Sequence, residues 1–249
     1  MRDFLQALSF LTILPFGQGS SVEGKRLARS MAFFPLVGLV IGLILAIAYF
    51  LLLFLLPKAF VLWLTIGLLA LLTRGLHLDG FADTMDGLAS GGSKERILEV
   101  MRDSRIGAFG VISLIFLIGG KYLALDQISN VSLPSSLILM VVMGRNSMVL
   151  VCFRSPYARP GEGLAKPFTE NLGYRETALS LAMAFGIAFL AVGVKGILVF
   201  LGIVLFSLGY RFFFIKKLGG VTGDVLGGAN ELSELLSLIF LVILEPIRL

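Results

Sequence analysis

Seven apolar blocks divide this chain, and their length limits the folds open to it. They cover residues 31–56, 59–73, 106–125, 133–153, 177–194, 196–214 and 232–244. A helix rises about 1.5 Å per residue, so roughly 20 residues cross the hydrocarbon of a bilayer. Most blocks meet that length. Blocks 59–73 and 232–244 are short, and either extend through less apolar flanks or enter the bilayer without crossing it. Burying all seven in a soluble core would need a much larger protein than 249 residues, given 57% hydrophobic and only 15% charged side chains. The expected fold is all-α: a polytopic transmembrane helical bundle of about seven membrane segments, forming a single integral-membrane domain over 1–249.

Basic residues orient the bundle. Lys25, Arg26 and Arg29 precede the first block; Arg74, Lys94, Arg96, Arg102 and Arg105 follow the second. Arg154, Arg159, Lys166 and Arg175 follow the fourth, and Lys216 and Lys217 the sixth. The alternate loops hold little beyond Lys58 and Lys195, with Arg248 near the far terminus. The positive-inside rule puts the N-terminus in the cytoplasm and, with seven crossings, the C-terminus outside. The net charge of +5 belongs to these loops. It suits anionic membrane lipids and phosphorylated substrates, and needs no nucleic acid partner. Residues 3–16 lack a signal-peptide pattern and read as an interfacial helix ended by Pro15 and Gly17. The single Cys152 lies in an apolar block, so it reads as a small buried hydrophobe and excludes a disulfide framework.

The chemistry-bearing residues stand beside the apolar blocks. In His77-Leu-Asp-Gly-Phe-Ala-Asp-Thr-Met-Asp86, the acids Asp79, Asp83 and Asp86 are spaced i, i+4 and i+7. A helix brings all three onto one face within an arc of about 60°. Gly80 and Gly87 remove bulk beside them. Aligned carboxylates repel when ionised, and a divalent cation with a taste for hard oxygen, Mg²⁺ or Mn²⁺, relieves this. Two such ions also fit phosphoryl transfer. Asp103 or Asp224 is available to complete the ligand set from a neighbouring helix. Ser93 reads as the N-cap of a short amphipathic helix from Lys94 to Met101. Arg102 and Arg105 flank Asp103 and offer bidentate donors to a diphosphate; the same trio also fits a local ion-pair network at a helix start. Arg145 interrupts the fourth block and serves either a substrate phosphate or a structural ion pair. His77 is open between ligand, base and packed residue. The run from Gly219 to Glu231 is glycine-rich without the lysine of a P-loop. It nevertheless places Thr222, Asp224, Asn230, Glu231 and then Glu234 on the cytoplasmic side.

These motifs resemble the cobalamin synthase, or adenosylcobinamide-GDP ribazoletransferase, family. The likeness rests on residues 77–88, 101–110 and 220–231, and extends to Phe10-Leu-Thr-Ile-Leu-Pro15 and Phe34-Pro-Leu-Val-Gly38. The resemblance implies a Mg²⁺-dependent inner-membrane enzyme of prokaryotes, with its active site facing the cytoplasm. Its substrates would be adenosylcobinamide-GDP and α-ribazole or α-ribazole 5′-phosphate; its products would be adenosylcobalamin or its 5′-phosphate, and GMP. On that reading Asp79, Asp83, Asp86 and Asp224 hold metal. Asp83, Asp86, Asp103 and Arg105 act in catalysis, and Arg102, Arg145, Thr222, Asn230 and Glu231 bind substrate. The aspartate pattern is distantly similar to CDP-alcohol phosphotransferases of phospholipid synthesis, but no arginine follows Ala82 as their tighter motif requires. A cation-coupled transporter would put its acids near the midplane within broken repeats. Oligomeric state is left open by the sequence, a homo-oligomer included.

Overall fold

Apolar blocks become helices because a lipid-facing backbone must satisfy its polar groups internally. The computed structural model describes residues 1–14 and 24–245, and the regular elements among them are all helices apart from one isolated β-bridge. They are α1 (Arg2–Leu11), α2 (Gly24–Ser30), a 3₁₀ turn (Met31–Phe33), α3 (Phe34–Leu52), α4 (Lys58–Leu72), α5 (Leu76–Ser90), α6 (Lys94–Val100), α7 (Ala108–Gln127), α8 (Leu133–Cys152), α9 (Lys166–Asn171), α10 (Tyr174–Val192), α11 (Val194–Leu218) and α12 (Gly223–Leu244). Among the described residues, six helical runs are long and apolar enough to cross a membrane, counting α2 and α3 as one; the bent pair α4–α5 makes up to seven.

The two short blocks find their explanation here. Block 232–244 is the distal part of α12, a 22-residue helix whose first turns are the glycine-rich run. Thr222 starts it as N-cap, its hydroxyl accepting from Val225 N–H at 3.2 Å. Block 59–73 becomes the 15-residue α4, after which the chain turns by 90° into α5. Arg74 and Gly75 make that turn with φ of 55° and 66°, a left-handed conformation that glycine adopts at little cost.

α8 forms the axis, with 89% of its apolar window buried, and packs against α3, α12, α10 and α11. Gly38 and Gly42 let α3 approach it closely: a Cβ at Gly42 would stand 2.6 Å from the Cα of Ile138. Cys152 is fully buried, as expected of a small hydrophobe. Outward-facing Ile47, Phe50, Trp63, Phe116, Leu190, Leu205 and Phe212 remain exposed and give the bundle an apolar surface suited to lipid. α1 buries Ala7, Leu8 and Leu11 against the bundle. It ends at Leu11, and its expected terminators Pro15 and Gly17 lie outside the described residues, as does Arg248. Ser93 caps α6 as predicted, accepting from Arg96 N–H at 3.4 Å.

Long-range contacts define the two ends. At one, Lys58 Nζ donates to the Asp126 and Ile128 carbonyls, at 2.7 and 3.1 Å. At the other, α5, α6, the 153–173 loop and the start of α12 meet. That end carries the aspartate motifs and most of the basic loops.

Candidate active site

Glycine sets how α5 meets α12. A Cβ at Gly80 would lie 2.8 Å from the Cα of Asp224, and one at Gly227 would lie 3.1 Å from the carbonyl oxygen of His77. The backbones therefore touch where the two acidic motifs cross. Asp79 and Asp83 on α5 face the same space as Asp224, and the charges acting on Asp83 are those of Asp79, Asp224, Arg159 and Asp86. Asp79 is exposed, while Asp83 and Asp224 are half-buried. Thr222 donates to Asp224 Oδ2 at 3.2 Å while capping α12.

Arg159 joins this group although nothing in its own segment marked it. Its guanidinium donates to Asp224 Oδ2 at 2.6 Å and to the Met101 carbonyl at 3.1 Å. The bridge between Tyr157 and Val221 explains its position. Ala158 N–H donates to the Val221 carbonyl at 3.0 Å, and Val221 N–H to the Pro156 carbonyl at 2.9 Å. Arg102 is exposed beside it and reaches the Pro160 carbonyl at 3.4 Å. Arg102 and Arg159 line one open cleft together with Lys94.

Asp86 is engaged differently from its neighbours. Its two oxygens accept from Gly107 N–H at 2.7 Å and Gly110 N–H at 2.8 Å. It thus caps α7 from another helix, satisfying donors that the helix start would otherwise leave orphaned. A Cβ at either glycine would collide with this carboxylate. Asp86→Ala should therefore lower folding stability by about 1–2 kcal/mol, as the loss of a cap does, and Asp86→Asn by less. Thermal unfolding in detergent measures both, and equal stability of all three proteins would remove the capping role. Asp103 and Arg105 pair with each other on the exposed loop: Nε to Oδ1 at 3.0 Å and Nη2 to Oδ2 at 2.7 Å. The hydrogen bonds from Arg105 hold the Asp103 carboxyl down at about 2.

Arg145, Asn230 and Glu231, expected to bind substrate, lie instead in a buried ionic cluster. Lys121 Nζ donates to Glu231 at 2.5 Å and to Glu234 at 2.6 Å; Arg145 donates to Glu234 at 2.7 Å and to Asn230. Arg145 and Glu234 are 0% exposed. Two cations and two anions balance, which is the condition for charge at this depth. The cluster fastens α7 and α8 to α12. Lys121 stood in a 20-residue apolar stretch, and that alone was a signal of a buried partner.

A cavity of about 140 Å³ opens beneath Asp79 and Asp224, walled mainly by Phe10, Met31, Phe34, Met148, Phe168 and Leu226, with His77 inside. A wider groove on the other side of Asp79 runs past Ser9, Thr12, Arg74 and Leu114. Asp79, Asp83 and Asp224 present only hard carboxylate oxygens, the donor type of Mg²⁺. No three His, Cys, Asp or Glu side chains among the described residues stand close enough to share an ion. That is compatible with Mg²⁺, which commonly takes one or two carboxylates and completes its shell with water and substrate phosphate.

Comparison with known proteins bears on what this geometry serves. The family model for cobalamin-5-phosphate synthase matches residues 3–242. An adenosylcobinamide-GDP ribazoletransferase of Syntrophobacter fumaroxidans is 40% identical over 237 residues, covering 94% of this chain and 96% of the relative. Its counterpart in Geotalea daltonii is 39% identical over 242 residues, 97% of each chain. That of Caldanaerobacter subterraneus is 36% identical over 245 residues, 98% of this chain and 99% of the relative. No solved structure matches significantly. With the acidic motifs of α5 and α12 both inside a match that spans nearly the whole sequence, the chain belongs to the cobalamin-5-phosphate synthase family.

Proposed function

We propose that this protein transfers the adenosylcobinamide-phosphoryl group from adenosylcobinamide-GDP to α-ribazole or its 5′-phosphate, releasing GMP and adenosylcobalamin or its 5′-phosphate. The observation that carries the reading is the convergence of Asp79 and Asp83 with Asp224 and Arg159 at the crossing of α5 and α12. Carboxylates paired with a guanidinium suit a metal-bound diphosphate better than a cation path. The full-length relatedness to ribazoletransferases leaves the phospholipid and transporter readings without support.

In this account a ribose-ring hydroxyl of the acceptor, free in both α-ribazole and its 5′-phosphate, attacks the cobinamide-side phosphorus, and the bond from that phosphorus to the GMP oxygen breaks. Asp83 accepts the hydroxyl proton. Arg159, with Arg102 at the rim, takes up charge on the departing GMP phosphate. Asp79 and Asp224 would hold Mg²⁺, which supplies electrostatic relief to the diphosphate when bound. The cytoplasmic leaflet of a prokaryotic inner membrane is the favoured setting, since the basic loops gather at the same end as the acids. The groove beside Asp79 offers the amphipathic corrinoid a bed between polar and lipid-facing surfaces. Purified protein in lipid nanodiscs with Mg²⁺, adenosylcobinamide-GDP and α-ribazole should yield GMP and adenosylcobalamin in equal amounts. Folded protein that forms neither would refute the assignment.

A further inference from the structure

α6 and the loop after α8 border an open cleft of about 580 Å³ whose wall carries Lys94, Glu95, Glu99, Arg102, Tyr157 and Arg159. Positions 94, 98 and 102 recur at the helical interval, so one side of α6 and its continuation supplies much of that wall. Arg159 ties the cleft to the acids, because the guanidinium that borders it donates to Asp224 at 2.6 Å. Charges of both signs stand along the wall. The ion pairs among the described residues leave Lys94 and Arg102 without a carboxylate. Lys94 Nζ lies against the end of α11, where a Cβ at Gly219 would stand 2.9 Å from it. Glu95 is engaged at the start of its own helix: its own amide and the Ser93 hydroxyl hold its carboxyl below the usual range. Glu99 meets Arg96 at 2.9 Å, and these side chains are 71% and 59% exposed. A pair so open to water is worth little, which leaves the Glu99 carboxylate available to another partner.

We infer that this cleft receives the guanosine monophosphate half of the donor, with Glu99 accepting from guanine N1–H and the 2-amino group and Lys94 meeting O6. The inference rests on the proposed function and adds a place and a selector for the leaving nucleotide. Charge on the departing phosphate falls on Arg159 and Arg102, so the nucleoside attached to it lies along the wall that these two share with α6. Guanine sets two adjacent donors beside the O6 acceptor. A carboxylate takes both donors with its two oxygens, and an ammonium supplies O6. Adenine carries a bare acceptor where guanine has N1–H, and would turn it toward the carboxylate. Nearby spaces lack this combination. The enclosed cavity holds only Asp79 and Asp224 as carboxylates, and the wide groove only Asp79, all of them assigned to the metal. Leu98 and Tyr157 add apolar surface on which a base can lie. Glu99 is then a donor-binding residue that selects the base and touches no reacting atom.

Equilibrium dialysis of free nucleotides against the full-length protein in nanodiscs, with Mg²⁺, tests this without turnover. GMP should bind about 10- to 100-fold more tightly than xanthosine monophosphate, whose 2-carbonyl oxygen meets the carboxylate where guanine has an amine. Glu99→Gln keeps one acceptor and gains an amide N–H. It should bind GMP about 10-fold more weakly and xanthosine monophosphate about 10-fold more tightly than the unsubstituted protein does. A gain of affinity for the second nucleotide cannot come from damage to the fold. Turnover gives a further readout: in Glu99→Gln, KM for adenosylcobinamide-GDP should rise about 10-fold while KM for α-ribazole stays within about 2-fold. An unchanged nucleotide preference in Glu99→Gln would overturn the inference, as would a KM rise shared equally by both substrates. Either result alongside GMP release from adenosylcobinamide-GDP leaves the proposed function standing. No GMP from the unsubstituted protein with both substrates would overturn the proposed function and this inference together.

Discussion

Asp83→Asn should reduce GMP release by about 10³-fold or more while the protein stays folded. The substitution keeps the shape and removes the charge and the proton-accepting capacity. Asp83 occupies the middle of the acidic face, half-buried, with Asp79 and Asp224 as its anionic neighbours and Arg159 as its cationic one. A positioned general base alone contributes about 10²–10⁴-fold; a share in holding the metal–diphosphate would add to it. Folding should change by less than about 1 kcal/mol, because the side chain pairs with no helix end and lies outside the buried ionic cluster. Initial rates of GMP formation, set beside thermal unfolding in the same lipid, separate the two effects. Activity within tenfold of the unsubstituted protein would remove Asp83 from the reacting centre.

The second large effect concerns the fold. Glu234→Ala should destabilise the bundle by about 3–5 kcal/mol, the usual result of removing one partner from a buried ionic group. Glu234 accepts from both Lys121 and Arg145, so its loss leaves an excess positive charge between α7, α8 and α12. The double replacement Arg145→Met with Glu234→Leu keeps the charge balanced, because Lys121 retains Glu231 at 2.5 Å. It should recover much of the lost stability, which makes the coupling between the two positions strongly non-additive. Additive losses would mean that the four side chains do not act as one unit.

Much of this arrangement was legible along the chain, where each signal was local. Helical spacing alone put Asp79, Asp83 and Asp86 together on α5, and the apolar blocks announced the spans. Ser93 marked the start of α6 by its own chemistry. What stayed hidden depends on partners distant in sequence. Arg159 reaches Asp224 across 65 positions because a two-residue bridge folds its loop back. The same periodicity that grouped Asp86 with Asp83 could not reveal that the Gly107 and Gly110 amides would claim it. The sequence left Arg145 between a substrate phosphate and a structural ion pair, and set Glu231 in the polar run before the last apolar block. Only the packing of α12 against α7 and α8 decides that they meet Lys121 and Glu234 instead of a substrate.

The central claim is that acids from α5 and α12 act on one diphosphate. A double-mutant cycle on GMP release between Asp79→Asn and Asp224→Asn tests it most directly. If the two side chains serve one centre, the double variant should lose little more than the worse single variant, as residues acting as a unit do. Losses that multiply independently would place them in separate roles and contradict the account.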